Sequence, residues 1–263
     1  MTDLATRPPV GTLLRDWRQH RRLSQLELSL QAEVSTRHLS FLETGRAQPS
    51  REMILHLSEQ LQVPLRERNV LLLAAGLAPA YTAHRLEDPQ MSPVRDALEL
   101  VLAGYEPHPA VVIDRGWNLV AANRSVDILT DGAAPHLLAP PVNVLRLSMH
   151  PEGIAPRVRN LAQWRSHVLH RLAHDARLSA DPDLTALHQE LSALPGGLDP
   201  SPPNGIAIPL RLRHKDTELT FLSTVTTFGS ALDLTAAELS IEAFLPADAH
   251  TARTVQAISK AAR

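Results

Sequence analysis

The sequence predicts an α+β fold, with an all-α N-terminal domain followed by an antiparallel sheet with flanking helices. Up to Gly76 the apolar residues recur at intervals of three and four, as on amphipathic helices, whereas short β-branched and alternating runs follow Pro107. A chain of 263 residues is long enough for two domains, each with its own core. We therefore assign a helical domain to residues 1–76, a connector with one helix to 77–106 and a sheet domain to 107–263.

Composition excludes several kinds of chemistry and location. The chain has no cysteine, which excludes disulfides, thiol catalysis and thiolate metal sites. It has neither a run of eighteen apolar residues nor the apolar core of a signal peptide, so we expect a cytoplasmic protein without a membrane partner. Residues 1–75 hold ten arginines and eight acidic residues, a net charge of +2 against −2 for the whole chain. A local excess of positive charge of this kind favours the binding of phosphate groups.

The first predicted helix runs from Val10 to Arg22. Leu13, Leu14 and Trp17 have the spacing of one buried stripe. The second predicted helix begins at Ser24.

Ser24 and Glu27 have the spacing of a capping box, in which each side chain accepts a hydrogen bond from the other residue's backbone N–H. Leu26 and Leu30 lie four residues apart, and we expect them to form the buried face of the second helix.

The third predicted helix follows a turn at residues 32–34 and completes a helix-turn-helix pattern. Ser35 can cap its first turn, Leu39 and Leu42 continue the apolar face, and Gly45 can end it in the left-handed conformation. Two helices joined by about four residues form the helix-turn-helix unit, whose second helix lies in the major groove of DNA.

The exposed face of this second helix carries the residue types that read base edges. Arginine can donate two hydrogen bonds to guanine, serine and threonine can bond several bases, and an apolar ring can contact a thymine methyl group. Side chains at helix starts and in the following turn can meet phosphate, although capping and solubility would explain the turn residues equally well. The candidate DNA-binding residues are Gln25, Ser35, Thr36, Arg37, His38, Ser40, Phe41, Arg46, Ser50 and Arg51.

Two further helices complete the N-terminal domain. One follows Ser50 with Ile54, Leu57 and Leu61 at helical spacing, and the other follows Pro64 and closes at Gly76. Five helices in some seventy residues form a small bundle.

The segments LSQLEL and VSTRHLSFLETGRAQPS resemble the XRE-type, lambda-repressor-like helix-turn-helix, and the resemblance covers most of residues 10–75. It implies double-stranded DNA as a partner. It also implies an ion pair between Arg18 of the first helix and Glu43 at the end of the third. Two-fold symmetric proteins match palindromic half-sites, so we expect a homodimer.

The C-terminal part begins with a helix at residues 94–102 and a hairpin. Strands are predicted at Ala110–Asp114 and Trp117–Ala122, joined by a turn at Arg115-Gly116, and a helix follows Asn123. Further helices are predicted from Pro156 to Leu178 and after Asp181. Three strands at Ile206–Arg213, Leu219–Phe228 and Leu239–Phe244 precede a final helix at Ala247–Ala262.

A second resemblance covers nearly the whole chain. The segments RERNVLLLAAGLAPAY, NVLRLSMHPEGIAPRVRNLAQWRSHVL and TELTFLSTVTTFGSALDLTAAELSIEAFLPADAHTA resemble those of MmyB-like transcription regulators. The resemblance implies that residues 107–263 form a PAS-like sensor domain, and that its ligand is a small apolar, fatty-acid-like molecule.

The long helix offers a candidate ligand site. Arg157 and Asn160 form a polar first turn ahead of an apolar stripe that includes Trp164, which suits a ligand with a carboxylate head and an apolar chain. Helix capping or pairing with an acid would explain the two polar residues as well. Four other residues fit either a core or a pocket wall: Trp117, Asn123, Phe221 and Phe228.

Metal binding and catalysis find no support in the sequence. His167, His170 and His174 are spaced for one helix face, but we expect that face to be solvated, and no catalytic motif is present. We therefore expect no metal, no other cofactor and no enzymatic activity.

The sequence predicts a ligand-responsive DNA-binding regulator. The alternatives are a C-terminal protein-interaction module and a DNA-bound enzyme, which a flat apolar patch or an acid–base cleft would favour instead.

Overall fold

The computed structural model describes residues 8–199, 207–229 and 231–261, and the chain divides into two compact units. Of these, residues 8–83 form the first unit together with Leu232–Leu234, and the others form the second. Ile206 and Ala262, which bound predicted elements, lie outside the described residues. Within the part of the chain that the structure describes, no helix combines the length and the apolar character needed to cross a bilayer.

The first unit contains the five predicted helices, which enclose one apolar core. The three serine caps are present: Ser24 accepts a hydrogen bond from the Glu27 N–H at 3.1 Å, Ser35 one from His38 and Ser50 one from Met53. The helices are α1 Val10–His20, α2 Gln25–Gln31, α3 Thr36–Glu43, α4 Arg51–Gln60 and α5 Leu65–Ala74.

Helix α2 buries the opposite face from the one predicted. Leu26 and Leu30 are 58% and 70% exposed, whereas Leu28 is 1% exposed and packs in the core with Ala32. The pairs 26/30 and 28/32 both have four-residue spacing, and a helix of seven residues has too few turns for periodicity to distinguish them. The prediction for Leu26 and Leu30 was therefore wrong.

An ion pair fixes α1 against α3. Arg18 donates from Nε to Oε1 of Glu43 at 2.6 Å and from Nη2 to Oε2 at 2.8 Å, which is the expected pair. Gln25 at the start of α2 donates to the same carboxylate at 2.8 Å. Gly11 lets the two helices approach closely, since a Cβ atom there would lie 2.2 Å from the carbonyl oxygen of Leu42.

The second unit is built on a five-stranded antiparallel sheet with the strand order β2-β1-β5-β4-β3. Its strands are β1 Ala110–Ile113, β2 Leu119–Ala122, β3 Leu210–His214, β4 Thr217–Thr227 and β5 Ser240–Pro246. Its helices are α6 Ser92–Gly104, α7 Asp127–Thr130, α8 Val144–Met149, α9 Leu161–Ser179, α10 Pro182–Ser192 and α12 Ala249–Ala261, with a short helix α11 Leu234–Ala237 of which Thr235 onward belongs to this unit.

The two faces of this sheet have separate apolar cores. On one face Leu98 and Leu102 of α6 pack against Val112 of β1 and Ile241 of β5. On the other face the alternate residues of the same strands join α9 and α10 in a larger cluster. Successive side chains along a strand point to opposite faces, so neighbouring residues of a buried strand belong to different cores.

Several element boundaries differ from those predicted. Trp117 lies in the turn before β2 with φ of +63°, and Asp114 Oδ1 accepts hydrogen bonds from the N–H groups of Gly116 and Asn118 there. Helix α9 begins at Leu161 and not at Pro156, because the Arg159 N–H bonds to the Arg211 carbonyl at the edge of β3. Strand β3 begins directly after Pro209, whose nitrogen cannot donate to a ladder.

We expect the Arg18–Glu43 ion pair of the first unit to make a large and pH-dependent contribution to the free energy of unfolding. Burial acts to raise the pKa of Glu43, but hydrogen bonds from Arg18 and Gln25 and the charges of Arg18 and Arg15 outweigh it, so the pKa lies below its ordinary value. The contribution is therefore complete near neutral pH and is lost as pH falls through the folded-state pKa.

We expect Arg18→Ala and Glu43→Gln each to lower the free energy of unfolding by about 3–5 kcal/mol, since each leaves its buried partner unpaired. Urea unfolding of the full chain measures this. Glu43→Gln should also flatten the loss of stability between neutral and acidic pH, and Arg37→Ala, on the exposed face of α3, is the matched control. Equal stabilities for Arg18→Ala and Arg37→Ala would contradict this account.

Candidate functional site

The outer face of α3 presents two arginines around one aromatic ring. Arg37 lies with its Cζ atom 5.3 Å from the centre of the Phe41 ring, and Arg46, after the helix, with its Cζ atom 5.9 Å from the same centre. Both arginines are exposed and Phe41 is half-buried. The ring therefore keeps two cations together on the side of α3 that faces away from the core.

Four other candidate DNA-binding residues also hold the fold together. Thr36 Oγ1 lies 2.8 Å from Ser29 Oγ and joins α2 to α3, while Gln25 bonds to Glu43. Arg51 donates to the carbonyl oxygens of Ala78 at 2.8 Å and Pro79 at 3.4 Å, and Ser50 caps α4. His38 and Ser40 are half-buried and Ser35 is exposed.

A second candidate site is an apolar cavity of about 300 Å³ inside the second unit. Side chains from β1, β2, β3, β5, α7, α8 and α9 line it, and most of them are aliphatic or aromatic. Trp117 and Trp164, both predicted as core or pocket residues, belong to this wall. The indole N–H of Trp164 donates to Ser148 Oγ at 2.9 Å, so its polar atom is satisfied within the wall.

One charged pair faces this cavity. Arg171 of α9 donates from Nη1 to Oε1 of Glu242 on β5 at 3.1 Å, and its Cζ atom lies 4.5 Å from the centre of the Trp117 indole. His167 lies one turn earlier and packs its ring against Trp164 with 5.7 Å between centroids. All five residues line the cavity.

Burial is the largest influence on the pKa of His167, which lies beside this pair. It lowers the pKa of His167, and the positive charge of Arg171 lowers it further, while Glu242 acts in the opposite direction. The imidazole is therefore held neutral to lower pH than in water. The cavity thus combines an apolar volume with one guanidinium group that is held by both a carboxylate and an indole.

The polar head predicted at Arg157 and Asn160 is not part of the cavity wall. Arg157 donates to the carbonyl oxygens of Ile128, Leu129 and Asp131 at 2.9, 2.9 and 2.5 Å, and to that of Arg213 at 3.0 Å.

Asn160 donates to the Pro209 carbonyl at 2.8 Å and accepts from the Arg211 N–H at 3.1 Å. Because α9 starts after both residues, they join backbone segments and do not extend the helix stripe toward a ligand. Arg157 and Asn160 therefore do not form the predicted head-group site in the cavity wall.

Three aromatic or amide predictions also fall outside the apolar cavity. Phe221 is fully buried in the larger core, and Phe228 packs with α6 on the other face of the sheet. Asn123 borders a separate, more polar depression of about 630 Å³. Its amide bonds to the backbone of Ala110, Leu102 and His108, which fixes the connection between α6 and β1.

Sequence reasoning missed Arg171 and Glu242 and misplaced His167. The predicted solvated face holds for His170 and His174, which are exposed, but His167 faces the cavity. The buried face of α9 is wider than predicted, because this helix packs against the turn that contains Trp117 in addition to the sheet. One signal was available: Glu242 shares a strand face with Phe244, where a charge among apolar residues indicates a partner or a site.

Two family models match the chain. A model described as the MmyB-like transcription regulator ligand binding domain matches residues 94–258, which is more than half of the chain. A helix-turn-helix model matches residues 14–68. A search of curated proteins found no match. The first of these regions contains the apolar cavity, and the second contains the arginine-bearing face of α3.

The electrostatics of the cavity can be tested through His167. We expect its pKa to rise in Arg171→Ala, because the substitution removes a nearby cation and leaves Glu242 without its partner. An imidazole NMR titration of the full chain measures the change, and Arg177→Ala on the exposed part of the same helix is the control. An unchanged pKa in Arg171→Ala would contradict the described pairing.

Proposed function

Because the chain belongs to the family of MmyB-like transcription regulators, we propose that it acts as a homodimer which reads an operator with α3 and senses a fatty-acid-like molecule. The coarser function, a DNA-binding and ligand-responsive transcription regulator, follows from the two matched domains. The observation that carries the finer proposal is the apolar cavity with one charged pair in its wall. Both matched families are domains of regulators, and catalysis forms no part of the proposal.

The DNA-reading part of the proposal rests on the geometry of α3. The Ser35 cap and the ion pair at Glu43 fix the two ends of this helix, and its outer face presents Arg37 and Arg46 beside Phe41. The recognition helix of a helix-turn-helix contacts base edges near its N-terminus, where Arg37 lies. Arg37 would read guanine, whereas Arg46, beyond the helix, would neutralise phosphate.

The ligand part of the proposal rests on the chemistry of the cavity wall. Its aliphatic and aromatic side chains favour an apolar chain, and a volume of about 300 Å³ lies at the lower end of the range for small-molecule sites. Arg171 supplies a charge-assisted donor for an acidic head group. Such a head group would share Arg171 with Glu242, and the Trp117 indole would hold the guanidinium in place.

An apolar cavity inside the second unit favours a sensor over the alternative of a protein-interaction module, for which a flat apolar patch is expected. Ligand binding changes operator affinity only by as much as the ligand prefers the DNA-binding form over the other form. The sign of regulation therefore depends on which form leaves the cavity open to the ligand.

Arg37→Ala tests the reading of bases. We expect it to weaken binding to a selected operator by about 1–3 kcal/mol and to relax the sequence preference at one position in each half-site. Competition binding against random duplex DNA, with operators selected from a random pool, separates the two effects. Arg253→Ala, an exposed arginine on α12, is the control. Equal losses on operator and random DNA would make Arg37 a phosphate contact.

Lipid extraction and titration test the ligand. We expect denaturation of the purified protein to release a fatty acid that mass spectrometry identifies. We expect Arg171→Met to weaken binding of straight-chain fatty acids by about tenfold or more, in line with the loss of one charge-assisted hydrogen bond. The corresponding fatty alcohols should bind wild type and variant alike.

Arg177→Met, on the same helix and exposed, should bind fatty acids as the wild type does. Failure of every fatty acid to bind the delipidated protein would overturn the ligand proposal while leaving the DNA-reading proposal intact.

A further inference from the structure

Two imidazoles and one carboxylate converge at the surface of the second unit. His136 lies in the 3-10 turn Pro135–Leu137, and His150 and Glu152 directly follow α8. One ligand-type atom from each of the three lies within 4.8 Å of the others. The two imidazole rings meet edge to face, with 5.9 Å between centroids and 84° between planes.

The backbone holds these three residues in place without a bound ion. The Ala134 N–H donates to the Glu152 carbonyl at 2.8 Å, which joins the segment before His136 to the turn after α8. That turn packs tightly on α8, since a Cβ atom at Gly153 would lie 2.2 Å from the carbonyl oxygen of Leu147. The donor atoms are therefore brought together by main-chain structure and not by flexible side chains alone.

We propose that His136, His150 and Glu152 bind one divalent transition-metal ion of the zinc type. Two imidazole nitrogens and a carboxylate are a ligand set that Zn²⁺ accepts with a fourth position left for water. Hard ions such as Mg²⁺ and Ca²⁺ prefer oxygen ligands, so two imidazoles select against them. The exposure of His136 and Glu152 leaves the fourth position open to solvent.

One existing contact has to be replaced. His150 Nδ1 accepts a hydrogen bond from the Glu152 N–H at 3.1 Å, so the neutral ring carries its proton on Nε2. A metal at Nδ1 displaces this hydrogen bond, and a metal at Nε2 requires the ring proton to move to Nδ1, which can then no longer accept from the Glu152 N–H. Both routes exchange one neutral hydrogen bond for a metal–nitrogen bond, and both make binding weaker at acidic pH.

The position of the site gives it a consequence for the cavity. Leu138 and Ile154 each lie two residues beyond a proposed ligand, and both line the apolar cavity. An ion bound to His136 and Glu152 would hold these two wall segments together. This consequence, unlike the metal site itself, rests on the proposed sensor function.

Metal titration of the full chain, with any histidine tag removed, tests the site. We expect calorimetry with Zn²⁺ to give one equivalent per chain, Co²⁺ to compete, and Mg²⁺ to have no effect. His136→Ala and Glu152→Gln should each weaken Zn²⁺ binding at least tenfold. His170→Ala removes an exposed histidine outside the cluster and should leave binding unchanged.

Thermal unfolding gives a second readout that does not depend on ligand. Zn²⁺ should raise the melting temperature of the wild type and of His170→Ala, but not that of His136→Ala, since an ion stabilises only the form that binds it. Metal-free variants with wild-type melting temperatures show that the substitutions leave the fold intact. Binding that His136→Ala and Glu152→Gln do not alter, or binding at several equivalents, would overturn the site. Fatty-acid release by denaturation is independent of this outcome.

Discussion

The burial of one carboxylate determines how the first unit is assembled. The Glu43 side chain has no exposure, and an ionised group without water needs donors from the protein. Those donors come from α1 and from the start of α2, so satisfying one carboxylate fixes the three helices relative to one another. The outer face of α3 is what remains after that arrangement. The positions of Arg37 and Arg46 at the surface therefore depend on Glu43, which is itself buried.

The second unit uses a buried charge pair in a different way. The side chains of Arg18 and Glu43 are 10% and 0% exposed, whereas Arg171 and Glu242 lie at the wall of an apolar cavity. A guanidinium held by one carboxylate and one indole keeps donors that a further acceptor can use. The sheet makes this possible, because alternation along β5 points Glu242 and Phe244 into the same space while Ile241 and Ala243 pack under α6.

Local rules predicted much of the fold. The serine caps, the capping box and the five antiparallel strands follow from residue types at short spacing, and the structure contains them. The Arg18–Glu43 pair followed from a family resemblance and not from spacing. What failed depended on packing between distant segments. The buried face of α2 was chosen by its neighbours and not by its own period, and the start of α9 by an edge of β3 some fifty residues away in sequence.

The same reason explains which parts of the candidate site were missed. Arg171 and Glu242 are 71 residues apart, and no motif relates them. His136 and His150 lie in a loop and a turn that are distant in local sequence pattern and that a backbone hydrogen bond joins. Single-sequence reasoning finds residue types and local geometry, and it cannot place two residues together unless a known topology does so.

The four hydrogen bonds of Arg157 have a consequence for which residues position 157 can accept. One flat guanidinium collects carbonyl oxygens from α7 and the residue that follows it, and from the end of β3. Lysine carries the same charge, but its ammonium is a single point with three donors and cannot span acceptors spread along two segments. Tolerance at this position is therefore governed by the shape of the cation. Because Leu129 and Thr130 of α7 form part of the cavity wall, a residue that never meets the ligand shapes the volume in which a ligand would lie.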